Sequence, residues 1–368
     1  MKKMNLVIII PMVLALLATS CSSLGNMEQT TSQTRPFDAS LATMTLHTDG
    51  NKILNTRGEP VLLTGVNIAS LEWTNGGEHV EESVNRAIQD WKVNFIRLPL
   101  AQDCWFGKMT NQTDNGAAYR NIVDKIVDTC AVAQVYINLD LHWSDCGTWV
   151  NKGGRIGQHN MPDKNSIKFW QDVATRYKNH PNVIFGLYNE PHDVPWATWL
   201  HGGTVNDKPA EWNPSQQEIT YKAVGMQKLY KVVRSTGAEN LATVSGLDWG
   251  YDLSGVLQGY AIKGSNYMYE THPYPQKKEW DKCFGEVGEK YPVYMGEWGY
   301  DKRDTNGVSY AQKLMDYAQQ RGLSWTAWDF HPKASPILIK DWTYEPTDFG
   351  QFVKDKLAAA AAARGPKN

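Results

Sequence analysis

Residues 183–192 run Val-Ile-Phe-Gly-Leu-Tyr-Asn-Glu-Pro-His, an apolar strand that ends abruptly in polar residues. Val183, Ile184, Phe185, Leu187 and Tyr188 form an almost unbroken apolar run. A strand buried on both faces, as in a parallel sheet, has this composition. The run ends at Asn189, Glu190, Pro191 and His192, with the proline fixing the backbone as the chain leaves the strand. A carboxyl group at the end of a buried strand is partly desolvated, which favours its protonated form and suits it to donate a proton. A lone Asn-Glu-Pro reads better as a solvated glutamate where a strand exits. A second stretch, residues 292–299 (Pro-Val-Tyr-Met-Gly-Glu-Trp-Gly), shifts the weight, because it too is a short apolar strand ending on a glutamate, Glu297. Two such carboxylates can divide the work of a proton donor and a nucleophile.

From Val61 onward the chain alternates strand and helix patterns. Strands are expected at Val61–Asn67, Val93–Leu98, Val135–Asp140, Val183–Tyr188, Leu241–Ser245, Asn266–Tyr269, Pro292–Met295 and Ser324–Trp328. Between them, apolar residues recur at helical spacing, as in Val80, Val84, Ala87, Ile88 and Trp91. The longest such face runs Ile219, Ala223, Met226, Leu229, Tyr230 and Val233, and the poorest helix is the sixth connection, Gln276–Lys290. Eight strands, each followed by a crossover, predict a single α/β domain of the (β/α)8 TIM-barrel type. A doubly wound open sheet is the alternative. It is disfavoured because polar residues stand at nearly every strand end, and a barrel gathers those ends at one mouth whereas an open sheet spreads them along a line.

The chain has 368 residues, 42% of them hydrophobic, and a formal net charge of -2. It is long enough for one barrel-sized core, and its near-neutral balance carries no signature of nucleic-acid binding. Fifteen tryptophans and 17 tyrosines suggest aromatic surfaces for a ligand with flat apolar faces. Five cysteines occur without a CxxC pair, which argues against a structural zinc site. Residues 1–20 have a basic start, an apolar run too short for a comfortable membrane span and small residues before Cys21. This leader resembles a bacterial lipoprotein signal, although Ala18 stands where that pattern usually has Leu, Val or Ile. Lipidation at Cys21 and export to the cell envelope are expected, an ordinary secretory signal being the alternative. Residues 21–42 read as a polar tether, 43–357 as the catalytic domain and 358–368 as a low-complexity tail that frays. A small hairpin around Asp49-Gly50 is expected to plug the bottom of the barrel.

Arg97 ends the second strand, His142 the third, Asn189 and Glu190 the fourth, His272 and Tyr274 the sixth, Glu297 the seventh and Trp328 the eighth. In this order the set resembles glycoside hydrolase family 5, the cellulase family, over about Leu46 to Leu357. Singly, each residue has a blander reading: a paired structural arginine, core histidines, a core tryptophan. The resemblance implies that Glu190 is the general acid and base and Glu297 the nucleophile. Arg97 and Tyr274 would stabilise the Glu297 anion, whereas Glu190 has no cation in its own motif and is expected to hold the proton. Asn189 would hold the sugar 2-hydroxyl, His142 and His272 would bond hydroxyls or neighbouring carboxylates, and Trp328 would be the stacking floor.

The expected partner is therefore a polysaccharide, a β-1,4-glucan first and β-1,4-mannan as the rival, cut internally with retention. No cofactor or metal is implied, nucleic acid is not a partner, and a monomer touching the membrane only through its lipid anchor is expected. A non-catalytic glycan-binding lipoprotein would be expected to lack one glutamate, and both are present. A metal-dependent barrel hydrolase would usually carry an H-x-H pair on the first strand, and none occurs. Loop tryptophans (Trp73, Trp105, Trp143, Trp149, Trp196, Trp199, Trp212, Trp249 and Trp298) are expected to divide between cleft and core, with Trp199 and Trp212 offered as distal sugar platforms. A Cys104–Cys146 bridge between adjacent loops is expected, with Cys130 a buried thiol.

Overall fold

The computed structural model describes residues 33–36, 38–109, 112–146, 156–208 and 218–364. The leader with Cys21, as well as Trp149 and Trp212, lies outside the described residues. Eight parallel strands close into a barrel: Thr64–Asn67, Phe95–Ala101, Tyr136–Trp143, Val183–Gly186, Ala242–Ser245, Tyr267–Thr271, Val293–Met295 and Ser324–Ala327. Each pairs with the next and the eighth with the first. The predicted strands all fall on these eight, with ends displaced by a few residues. The second and third run on past their expected ends to Ala101 and Trp143, which carries His142 within a strand.

The outer helices Val80–Gln89, Ala117–Val132, Lys164–Tyr177, Met226–Ser235, Gly307–Arg321 and Asp348–Arg364 turn their apolar faces inward. The sixth connection is the weak one: a single π-turn at Asp281–Gly285 followed by a short helix, Glu286–Gly288. The predicted plug is present. Strands His47–Asp49 and Lys52–Leu54 form a hairpin, and Leu46 and Ile53 pack on Phe95, Tyr136, Ile184, Met268 and Tyr294.

Two local expectations are corrected. Ile219–Val224 is not the start of a helix but a strand, paired antiparallel with Gly202–Asp207. The fourth loop thus holds a short helix, Trp196–His201, and a two-stranded flap. Ile219, Tyr221 and Ala223 fit a period of two as well as Ile219 and Ala223 fit helical spacing, and the strand pairing decides between them. The alanine tract at 358–363 does not fray: the last helix runs through it to Arg364. Alanine is the best helix former, and Arg364 anchors the end by donating to the Thr64 hydroxyl (2.8 Å) and the Lys92 carbonyl (2.9 Å). The short helix Gln102–Trp105 lies against the strand Asp145–Cys146, so the two cysteine-bearing loops are neighbours; the Cys146 side chain is outside the described residues. Cys130 is buried, as expected, and burial pushes its thiol up.

Candidate active site

The strand ends meet around Arg97, whose side chain is 0% exposed. Its Nη1 donates to Glu297 Oε1 (2.8 Å) and Asn67 Oδ1 (3.0 Å), and its Nη2 to Asn189 Oδ1 (2.6 Å). Asp140 and Glu270 complete the shell, 3.0 Å from Nη2 and 2.9 Å from Nε. A planar fork with five donors can serve several acceptors at once, which a lysine could not. Burial lowers the affinity of the guanidinium for its proton, but Asp140, Glu270 and Glu297 outweigh this and hold Arg97 charged.

Glu297 accepts from Arg97 and, at 2.9 Å, from the Tyr274 hydroxyl. The predicted donor pair is therefore in place. Gly296 makes room for the neighbouring Glu270: a Cβ there would lie 2.0 Å from Glu270 Oε1. Asn67, which the sequence reading missed, pins this strand end by donating to the Gly296 carbonyl (2.9 Å).

Glu190 has a side chain 19% exposed and lies at the open side of the site. Its own motif supplies no cation, but the sixth strand does, because His272 Nδ1 lies 2.9 Å from its Oε1. The other ring nitrogen of His272 lies 3.1 Å from Glu270 Oε1. Burial pushes the imidazole down, but Glu297, Glu190 and Glu270 raise it to about 10, so it is an imidazolium at neutral pH. Thr243 supports Glu270 from the far side with a 2.6 Å hydrogen bond. A fixed positive charge thus stands beside the Glu190 carboxyl group and orients it.

His142 behaves oppositely. Burial holds its imidazole down at about 3, against the pull of Glu297. The neutral ring has its Nδ1 2.8 Å from Asp140 Oδ2, and the Asn189 amide lies 3.3 Å from its Nε2. Burial pushes Asp140 up to about 7 in spite of Arg97. Asn189 is held from both sides, since its Nδ2 also donates to Gln158 Oε1 (2.6 Å). Gln158 in turn donates to the Glu190 carbonyl and accepts from the Glu190 amide, which locks the Asn-Glu pair. Trp328 stacks on His142 with rings 5.3 Å apart and 15° from parallel, and forms a wall of the site.

All eight predicted site residues of the barrel converge, and sequence reading missed Asp140, Glu270, Asn67 and Gln158. The first two had a legible signal. Asp140-Leu141-His142 and Glu270-Thr271-His272 each place an acid two positions before an inward-facing histidine, and alternation puts both on the same strand face. Of the loop tryptophans, Trp105, Trp199 and Trp298 are core. Trp199 is 0% exposed and donates to the Ser245 carbonyl, so its assignment as a distal platform is wrong. Trp73, Trp143 and Trp249 keep exposed surface near the mouth, the last at 40% and stacked on His192.

Glu190, His272 and Glu297 offer donor atoms within 4.8 Å of one another. As an imidazolium with carboxylates at both nitrogens, His272 has no lone pair to give a metal. The His272 proton gives a testable pH signature. Its folded value is raised above the usual 6.5, so its stabilisation is complete below about pH 6.5 and is lost as pH rises through about 10. Thermal unfolding of wild type and His272→Asn should therefore differ most at pH 6 and converge towards pH 10.5. A gap that is constant with pH would contradict the charged bridge.

At the mouth of the parallel barrel Glu297, held by the buried Arg97, stands close to Glu190, held by His272, and paired carboxylates of this kind are what a barrel glycoside hydrolase uses. Residues 54–334 match the model of the cellulase family, glycosyl hydrolase family 5, and the chain belongs to that family. Among curated relatives, the endoglucanase of Paenibacillus polymyxa is 24% identical over 356 residues, covering 81% of this chain and 83% of that protein. Endoglucanase MaCel5A of Microbulbifer sp. (strain ALW1) is also 24% identical over 292 residues, 77% of this chain but 51% of that protein. The chain thus spans only about half the length of some of its relatives. The β-glucanase SdGluc5_26A of Saccharophagus degradans has the same fold, with a TM-score of 0.68 at 24% identity over 89% of this chain and 98% of that one.

Proposed function

We propose that the protein is an exported, endo-acting β-glycanase that hydrolyses β-1,4-glucan with retention of configuration. The observation that carries this is the short gap at the mouth: a carboxylate oxygen of Glu190 and one of Glu297 lie within 4.8 Å. Retaining enzymes hold the two carboxyl groups roughly 5–5.5 Å apart, and inverting ones leave roughly 6.5–9.5 Å for a water. Glu297, held by hydrogen bonds from Arg97 and Tyr274, attacks the anomeric carbon while Glu190 protonates the departing oxygen. Glu190 then takes a proton from water, which attacks the same carbon and releases Glu297. Asn189 is oriented by Arg97, Gln158 and His142 to meet the 2-hydroxyl, and Trp328 backs the sugar.

The glucan is favoured because relatives are named endoglucanases, and because the Saccharophagus β-glucanase, of like fold, was solved in complex with cellotetraose. The leader ending at Cys21 supports export and a lipid anchor. Initial rates on hydroxyethyl cellulose, mannan, xyloglucan and mixed-linkage glucan test the substrate. The expected result is the highest kcat/KM on a β-1,4-glucan. A higher kcat/KM on mannan would overturn that choice while leaving the mechanism intact.

A further inference from the structure

The loop that begins at His272 serves two places. Its first residues face the carboxylates, His272 reaching Glu190 and Tyr274 reaching Glu297. From Pro275 to Trp280 it becomes one wall of a groove of about 1080 Å³, whose other wall is the start of the helix Gly307–Arg321. That volume is at the upper end of small-ligand sites, roughly 300–1000 Å³. The Tyr310 hydroxyl donates to the Pro273 carbonyl and ties the groove wall to the backbone beside Tyr274.

The lining says what the groove would take. Trp280, Tyr310 and Tyr317 are partly exposed, with Trp280 set against Tyr310 (6.2 Å, 71°) and Tyr317 (5.5 Å, 65°). Gln276, Asn306 and Ser309 place neutral amides and a hydroxyl around them. Four lysines and four carboxylates also line it, so it has no net charge. Lys277 is taken by Asp248 (2.7 Å) and Lys282 by Glu279 (3.5 Å). A balanced groove does not concentrate polyanions such as nucleic acid or an acidic glycan. Apolar ring faces among neutral hydrogen-bonding groups match an uncharged sugar chain, whose C–H faces pack on rings while its hydroxyls bond at the edges.

We propose that this groove is a second glycan-binding track, joined to the mouth by the loop His272–Trp280, that holds a neutral β-glucan chain. Its ligand class rests on the glycanase reading above. It should lower KM for polymers without being needed by substrates that span only the two carboxylates. Trp280→Ala removes the central ring, and Ser309→Trp fills the groove from an exposed position, so one variant tests the site even if the other misfolds. Each should reduce kcat/KM on hydroxyethyl cellulose, relative to that on an aryl β-cellobioside, by roughly three- to tenfold, as expected for one lost ring contact. Each should also weaken retardation of the protein in a gel containing the same polymer. An unchanged ratio with unchanged retardation in a folded variant would overturn the proposal, as would a wild type that neutral glucans do not retard. Failure of the wild type to cleave either substrate would instead sink the glycanase reading, and retardation alone would then decide the groove.

Discussion

Glu297→Ala is expected to lower hydrolysis of a β-1,4-glucan by about 10⁴-fold or more, because it removes the proposed nucleophile. The variant should still fold, since the lost carboxylate sits at the rim of the charged cluster and Arg97 keeps Asp140 and Glu270. The space left beside Arg97 and Tyr274 suits a small anion. With an activated aryl glycoside, added azide should restore turnover and give the α-glycosyl azide, having entered from the face that Glu297 occupied. Glu190→Ala should behave as the mirror case. It should still form the covalent intermediate when the leaving group needs no proton, and azide should then give the β product. Restoration of Glu297→Ala with a β product would exchange the two roles.

Arg97→Leu is expected to be the most damaging change to the fold itself. It would leave Asp140, Glu270 and Glu297 facing one another in a buried site with no guanidinium between them. Removing one partner of a buried ion pair typically costs about 3–5 kcal/mol, because the charges left behind are uncompensated. Urea unfolding should show a loss of that size, and Arg97→Lys should recover part of it. A lysine restores the charge but not the fork that also serves Asn67 and Asn189. A loss below about 1 kcal/mol for Arg97→Leu would mean that the carboxylates are neutral in the folded protein and that the arginine is not their counter-ion.

The barrel was legible because its signals are repeated and local. Nearly all of the eight apolar runs ended on a polar residue, and Arg97, His142, Glu190, His272 and Glu297 came in an order that one mouth explains. What was not legible depends on partners distant in sequence. Trp199 is a loop tryptophan by position, but the end of the fifth strand receives its ring nitrogen at the Ser245 carbonyl, and the core covers it. Ile219–Val224 obeys two periodicities, and only the facing strand Gly202–Asp207 chooses between them. The cation beside Glu190 comes from the sixth strand, 82 residues away, so its own motif could not reveal it. Asp140 and Glu270 were the avoidable omissions, since each stands two residues before a histidine already singled out.

In the proposed mechanism Glu297 forms a covalent bond to the sugar, with Glu190 close enough to serve as its acid and base. The anomer first released by the wild-type enzyme, followed by proton NMR before mutarotation, tests it most directly. The initial product is expected to be the β anomer, with the α signal growing in only at the rate of spontaneous mutarotation. An initial α anomer would contradict it, because water would then have attacked directly and Glu297 could not be the nucleophile.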